Sequence, residues 1–441
     1  MANRAEVAAR RRIHFALLGY QPLRMKPVHF ATNFFNSVCG HYYPLDLFNK
    51  ALVVKFSEST DDEYVTVNLR RRLLEAGIIH PSMSEAQLAL LRNQINAVYN
   101  NDGSAVYACF KPYKTFGNDY TLSSTRMLSG ESKNHGYSGY FVHQVLSVTT
   151  AGKAVIRFAK DLIERLDTPT EHLAAPLLDP LEYRMEWKNP YPDLFGDLTV
   201  ERLKGVADLM REQTEAIACL CQNLADASPV LALRSLVIGL CAWLFLYLHR
   251  VAANGNTPLL FMDFQNGRNR RTRSQSQIAY ASYRDRVAQS YAKRQEASDL
   301  GTNDQVFALL DTKDLREIEQ HYSDLAIRIG FCQPRAQQVR QKHFELQPDT
   351  LKVLMMGLLH GHEVATLETA AARLRAVFGV CAGACHDDQR RLRDSGFQPL
   401  DEDQDLEPNR EAFKDLLLRM QVASEPSDGL VLCSVNPDLL P

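Results

Sequence analysis

Four arginines within six positions, Arg268, Arg270, Arg271 and Arg273, form the strongest chemical feature of this sequence. They stand in GRNRRTR, residues 267–273, after a strand-like run and ahead of a helix-like one. Guanidinium forks pair with phosphate oxygens, glycine lets a backbone approach an anion, and a helix N-terminus adds a positive field. Lys293 and Arg294 extend the segment. From 264 to 294, eight Lys and Arg residues stand against the single Asp285. Arg268, Arg270, Arg271, Arg273, Lys293 and Arg294 are therefore expected to contact a nucleic-acid backbone. Tyr280, Tyr283 and Tyr291 would be available beside them to stack or bond. The plainer alternative is a solvated loop, or arginines that meet acidic residues such as those at 401–407. The first reading predicts that changing Arg270 and Arg271 to Ala leaves folding nearly unaffected; pairing predicts a loss of stability.

Other chemical groupings are weaker. His360, His362, Cys381, Cys385 and His386 fall close together, but Cys-x3-Cys is looser than a zinc knuckle and no second compact pair follows. No metal and no cofactor are expected. Cys381 follows Val377, Phe378 and Val380 and reads as a core thiol. Gly152-Lys153 resembles a phosphate loop, but Ser147 and Ala154 occupy the places of its first glycine and its hydroxyl. Gly136-Tyr137-Ser138-Gly139 is one residue short of a nucleophile elbow. Asp263 ends an apolar strand, as metal-binding aspartates of nucleases do, but no Glu-x-Lys follows it nearby.

The chain that carries these residues has 441 of them, enough for two to four domains at about 100–200 residues each. With 50 basic and 52 acidic residues, its net charge is -2, which excludes a uniformly basic coat and leaves room for a local patch. Nine cysteines without framework spacing and an N-terminus with no apolar signal core point to free thiols in the cytoplasm. The most apolar run, 230–248, contains Arg234 and Ser235. The uninterrupted part, 236–248, is too short for about 30 Å of hydrocarbon, so a buried core helix is expected and no membrane contact.

The elements expected around these residues make a mainly α protein with minor β. A mixed α/β N-terminal domain covers 1–166. It has a helix at 3–18, strands at 51–56 and 104–110, helices at 62–76 and from Ser84, and a long Gly/Ser/Asn/Tyr-rich loop at 111–143. That loop interleaves Lys111, Lys114, Arg126 and Lys133 with Tyr113, Phe116, Tyr120, Tyr137 and Tyr140, and reads as folded on its own tyrosines rather than as a stacking surface. A helical domain, 167–330, has helices at 199–225, 229–250, 274–298 and 303–329 and a strand at 258–264. A winged-helix-like C-terminal domain, 331–441, has helices at 349–359, 367–378 and 409–420. It ends in a hairpin turning at Ser427-Asp428-Gly429. The third of these helices carries nearly balanced charge in Arg410, Glu411, Lys414, Asp415 and Arg419, which suits a protein partner better than a DNA groove. Arg390, Arg391 and Arg393 are the better phosphate contacts of this region.

From about Leu325 to Leu432, LAIRIGFCQPRAQQVRQKHFELQPDTLKVLMMGLL and AFKDLLLRMQVASEPSDGLVL resemble subunits of bacterial anti-phage defence systems. These are of the phosphorothioation- or methylation-associated kind, encoded alongside translocating ATPases. The resemblance covers about a quarter of the chain and includes no catalytic motif. It implies a non-catalytic or DNA-contacting component of a multi-subunit system. Taken with the arginine loop, the expectation is a non-catalytic DNA-binding and scaffolding subunit, with nucleic acid and protein partners such as an ATPase. The alternative is a metal-dependent nuclease with scattered ligands, Asp263 among them.

Overall fold

The helix over Pro229–Ala252 organises the molecule because it is apolar on every side. The computed structural model describes residues 14–15, 17–22, 27–42, 71, 84, 99–100, 111–112, 137–166, 185–186, 198–297, 312–333, 341–427 and 429–436. In chain order the elements are α1 (Pro27–Cys39), β1 (His41–Tyr42), β2 (Tyr99–Asn100), β3 (Lys111–Pro112), α2 (Ser138–Ser147), α3 (Thr150–Leu166), β4 (Met185–Glu186), α4 (Val200–Leu209) and α5 (Arg211–Asn223). They continue with α6 (Pro229–Ala252), β5 (Leu260–Phe261), α7 (Arg270–Ala297), α8 (Thr312–Arg328), β6 (Cys332–Gln333), β7 (His343–Phe344) and α9 (Pro348–Leu358). The last are β8 (Ala365–Thr366), α10 (Leu367–Phe378), β9 (Val380–Cys381), α11 (Asp388–Asp394), α12 (Glu407–Arg419), β10 (Ala423–Ser427) and β11 (Leu430–Cys433). Helix makes up 67% of the described residues and strand 7%, so the protein is mainly α.

Proline within the first two positions opens α6, where its missing N–H costs nothing. Eighty-nine per cent of its most apolar window lies buried inside the protein. Trp243 packs at its centre, fully buried, and its indole N–H donates to Thr214 Oγ1 of α5 at 3.0 Å. Gly239 permits close approach: a Cβ there would stand 2.9 Å from Leu220 Cδ2 and 3.0 Å from Ile217 Cδ1. Arg234, which interrupts the apolar run, reaches Asp349 at 2.5 Å on the exposed side. One apolar cluster extends from Leu18 to Cys433 and draws residues from 1–166, 167–330 and 331–441 alike.

The site is positioned by short strands between helices. β5 pairs in parallel with β9, far away in sequence, and β6 pairs antiparallel with β7. α10 ends at Gly379 in the left-handed region (φ 71°), where a Cβ would strike the Pro258 carbonyl. Toward the C-terminus, β8, α10, α12, β10 and β11 follow α9, and the three strands form an antiparallel sheet in the order β10–β11–β8. Ser427 pairs with Leu430 across the predicted hairpin turn.

Several expectations differ in detail. Residues 199–225 form two helices that meet at Met210. The 111–143 loop ends in α2, which begins at Ser138, and Tyr137 and Tyr140 are buried there against Phe15. The strands read at 51–56 and 104–110, the helix from Ser84 beyond its first residue, most of the helices at 3–18 and 62–76 and of 167–198, and residues 113–136 lie outside the described residues.

Candidate nucleic-acid interface

Between β5 and α7 the chain turns through Asn266 (φ 53°) and Gly267 (φ 76°), both left-handed. A Cβ on Gly267 would meet the mobile end of the Arg273 side chain, which can move aside; what favours glycine there is the left-handed φ. Asp263 closes the turn from within. Its Oδ1 accepts the Gln265 N–H at 3.0 Å and its Oδ2 the Gly267 N–H at 2.9 Å, with Arg273 Nη1 3.7 Å away. Asp263 is fully buried. Burial pushes its carboxyl up, while the Gly267 N–H and the charges of His343 and Arg273 pull the other way. The backbone N–H of Asp263 donates to the Phe344 carbonyl at 2.9 Å, which ties the loop's root to β7.

Asn409, on α12, fixes the same root from the other side. Its Oδ1 accepts the Phe264 N–H at 2.9 Å, and its Nδ2 donates to the carbonyls of Met262 and Ala382, each at 2.9 Å. Asn269 caps α7: its Oδ1 accepts the N–H groups of Arg271 (2.8 Å) and Thr272 (3.1 Å). The Nδ2 of Asn269 donates to the Gln404 carbonyl at 2.8 Å and to Asp405 Oδ1 at 3.1 Å. The acidic segment 401–407 is thus a tight π-helical turn, closed by Asp405 Oδ2 on the Asp401 N–H and docked against the arginine loop.

The four arginines divide into two kinds. Arg271 donates to the Pro399 carbonyl at 2.9 Å and lies 3.5 Å from Asp405 Oδ2, a carboxylate 4% exposed. Arg273 faces Asp263. For these two, pairing with acidic neighbours is what the structure contains. Arg268 and Arg270 are exposed and form no ion pair among the described residues. Lys293 and Arg294 lie on α7, but their side chains are outside the described residues. Of the other basic residues on α7, Arg284 pairs with Asp285 at 2.6 Å and Arg286 sits over the Tyr283 ring at 5.2 Å.

Tyr280 and Tyr283 are not a stacking platform. Tyr280 is fully buried and donates to Ser323 Oγ at 2.8 Å. Tyr283 is 9% exposed and its hydroxyl accepts the Leu259 N–H at 2.9 Å. They anchor the helix that presents the arginines. Tyr291 has its side chain outside the described residues.

The cysteine and histidine residues of 360–386 are dispersed. His360 Nδ1 lies 3.5 Å from Cys219 Sγ on α5, and His386 Nδ1 lies 2.7 Å from Glu368 Oε1 at the surface. Cys381 is buried in β9, its thiol pushed well up by burial. Among the described residues, Cys385, Asp387 and Asp388 are the one trio whose ligand atoms lie within 4.8 Å. Arg375 occupies that ground: it pairs with Asp387 at 2.7 Å and also with Asp388. Burial pushes the Cys385 thiol up to about 12, so it is no ready thiolate. Asp263 belongs to no such trio among the described residues, and its oxygens are spent on the turn.

Sequence reasoning passed over Asn269 and Asn409, and reached Asp405 only as one of the acids at 401–407. Asn269 carried a signal, an asparagine just before a helix. Asn409 carried none, since a buried asparagine inside an amphipathic helix reads like a solvated one. Comparison with protein families, curated proteins and solved structures finds no match to this chain.

Proposed function

We propose that the chain is a non-catalytic DNA-binding and scaffolding subunit of a bacterial anti-phage defence complex in the cytoplasm, gripping nucleic-acid backbone through the loop at 264–273. The observation that carries this reading is the division among the arginines. Arg271 and Arg273 are spent on Asp405 and Asp263, while Arg268 and Arg270 stand exposed on the backbone that those pairs hold. A loop already fixed by Asp263, Asn269 and Asn409 loses little freedom on binding. Contacts confined to phosphates position a duplex without reading its sequence.

The C-terminal unit supports the scaffolding half. Helix α9, strand β8, helices α10 and α12, and the β10–β11 hairpin follow the order of a winged helix, with β9, α11 and the acidic turn inserted before α12. Its third helix spends its charge internally: Arg410 pairs with Glu407, and Lys414 with Glu411 at 2.6 Å and Glu425 at 3.4 Å. Such a face suits a protein partner, and a translocating ATPase is the partner this reading names. The test is affinity purification of the tagged chain from its native host. A defence-system ATPase and nuclease-sensitive nucleic acid should co-purify; a chain that elutes free of both contradicts the proposal.

A further inference from the structure

We infer that Arg390 and Arg393 of α11 form a second phosphate grip beside the arginine loop, so that a nucleic-acid backbone is held at two separate points. This rests on the reading of the loop as a phosphate contact and adds residues that the loop does not contain.

The two elements belong to one block. Leu392 of α11 is buried with Leu400, Leu406 and Phe261, and Phe261 lies in β5, the strand that feeds the loop. Gln389 Nε2 donates to the Leu400 carbonyl at 3.0 Å, while Arg271 donates to the adjacent Pro399 carbonyl at 2.9 Å. Gln275 of α7 grips the same segment: it accepts the Gln398 N–H at 3.0 Å, and the two amide side chains meet at 3.3 Å. Residues 398–400 therefore fasten α11 and the first turns of α7 to each other.

Gln389 and Leu392 point into this block. Arg390 and Arg393 each follow one of them, three residues apart, so they share a neighbouring face with Cβ atoms about 5–6 Å apart. Both are exposed. The acids just before them are taken by other arginines: Asp387 by Arg391 at 2.5 Å and by Arg375, and Asp388 by Arg375. Arg390 and Arg393 form no ion pair among the described residues, as with Arg268 and Arg270 in the loop. Asp394, exposed at the end of α11, makes no ion pair with Arg390 or Arg393 among the described residues. Two guanidinium pairs without ion pairs, on elements fastened to each other, favour forked recognition of phosphate. The acidic turn packed between these elements, with Glu402 and Asp403 exposed, repels a polyanion. Contact at two points, rather than along a continuous basic groove, follows from that charge pattern.

The test compares the full chain with R268A/R270A, R390A/R393A and the quadruple variant, in salt titrations of binding to a labelled random-sequence DNA duplex. Each double variant is expected to flatten the log-affinity against log-salt slope by about 1–2 units. The quadruple variant should show about the sum, with unchanged melting temperatures. R390K/R393K should retain the slope, because the charges remain, and bind less tightly. If R268A/R270A alone changes the slope, the second grip is overturned and the loop contact stands. If neither double variant changes it, or the parent shows no salt-dependent binding, both are overturned. Competition by polyglutamate as effective as that by DNA would overturn a phosphate ligand in favour of an acidic peptide.

Discussion

Asn409 bonds three backbone groups from two distant segments: it accepts the Phe264 N–H and donates both amide hydrogens, to the Met262 and Ala382 carbonyls. Asn409→Ala strands those groups in a buried place, and stranded buried polar groups cost about 1–3 kcal/mol each before relaxation. A stability loss of about 2–4 kcal/mol in denaturant unfolding is expected; a loss under 1 kcal/mol would mean the loop root is held elsewhere. The arginines separate by the same reasoning. Arg271→Ala removes a hydrogen bond and leaves the buried Asp405 short of a counter-charge, so a measurable drop in melting temperature is expected. Arg268→Ala should melt with the parent, because the side chain pairs with nothing among the described residues. Equal melting of both variants would contradict the division. The arginine cluster was legible from residue type and spacing alone. Which arginines face acids was legible only as one of two alternatives, since the partner turn at 401–407 lies more than a hundred residues away.

At the scale of elements, the most legible parts had local punctuation. Gly379 ends α10 where a left-handed residue is required, and the turn before Leu430 closes the hairpin. Helix α2 was hidden because its short apolar stretch, YFVHQVL, sits at the end of a Gly/Ser/Tyr-rich run with no cap residue before it. Tyr280 and Tyr283 were misplaced for a related reason: α7 is polar on most of its length, so periodicity gave no inner face. Helix α6 was readable as a core helix from Arg234 and from the shortness of its apolar run. Its packing gives a sharper test. Gly239→Leu would drive a side chain into Leu220 and Ile217 of α5, at a cost of about 1–3 kcal/mol. Leu231→Ala, at a position 53% exposed, should cost under about 0.5 kcal/mol. Denaturant melts compare the two, and tolerance of leucine at 239 would contradict close packing of α6 against α5.

For the molecule as a whole, the main apolar core links stability to pH through His249, which packs against its aromatic rings. It is 2% exposed, takes part in a 3.2 Å hydrogen bond with the Tyr322 hydroxyl, and lies edge-on to Phe245, Tyr283 and Tyr322. Burial, aided by the charge of Arg286, pushes its pKa down from 6.5 to about 3. Burial likewise lowers His143 to about 4. The folded chain keeps these rings neutral, whereas the unfolded chain protonates them below about 6.5. Their contribution is therefore complete above that pH and is lost as pH falls toward 3–4, by about 1.4 kcal/mol per pH unit for each ring. His249→Phe should flatten the decline between pH 6 and pH 4 by about one ring's share, and an unchanged slope would contradict this. The functional account rests on phosphate contact by Arg268 and Arg270. The most direct measurement is a salt titration of DNA binding by the parent chain and by R268A/R270A, on two unrelated duplex sequences. The account predicts weaker binding to both sequences and a slope flattened by about 1–2 units, with an unchanged melting temperature. Equal affinity and equal slope for parent and variant would contradict it.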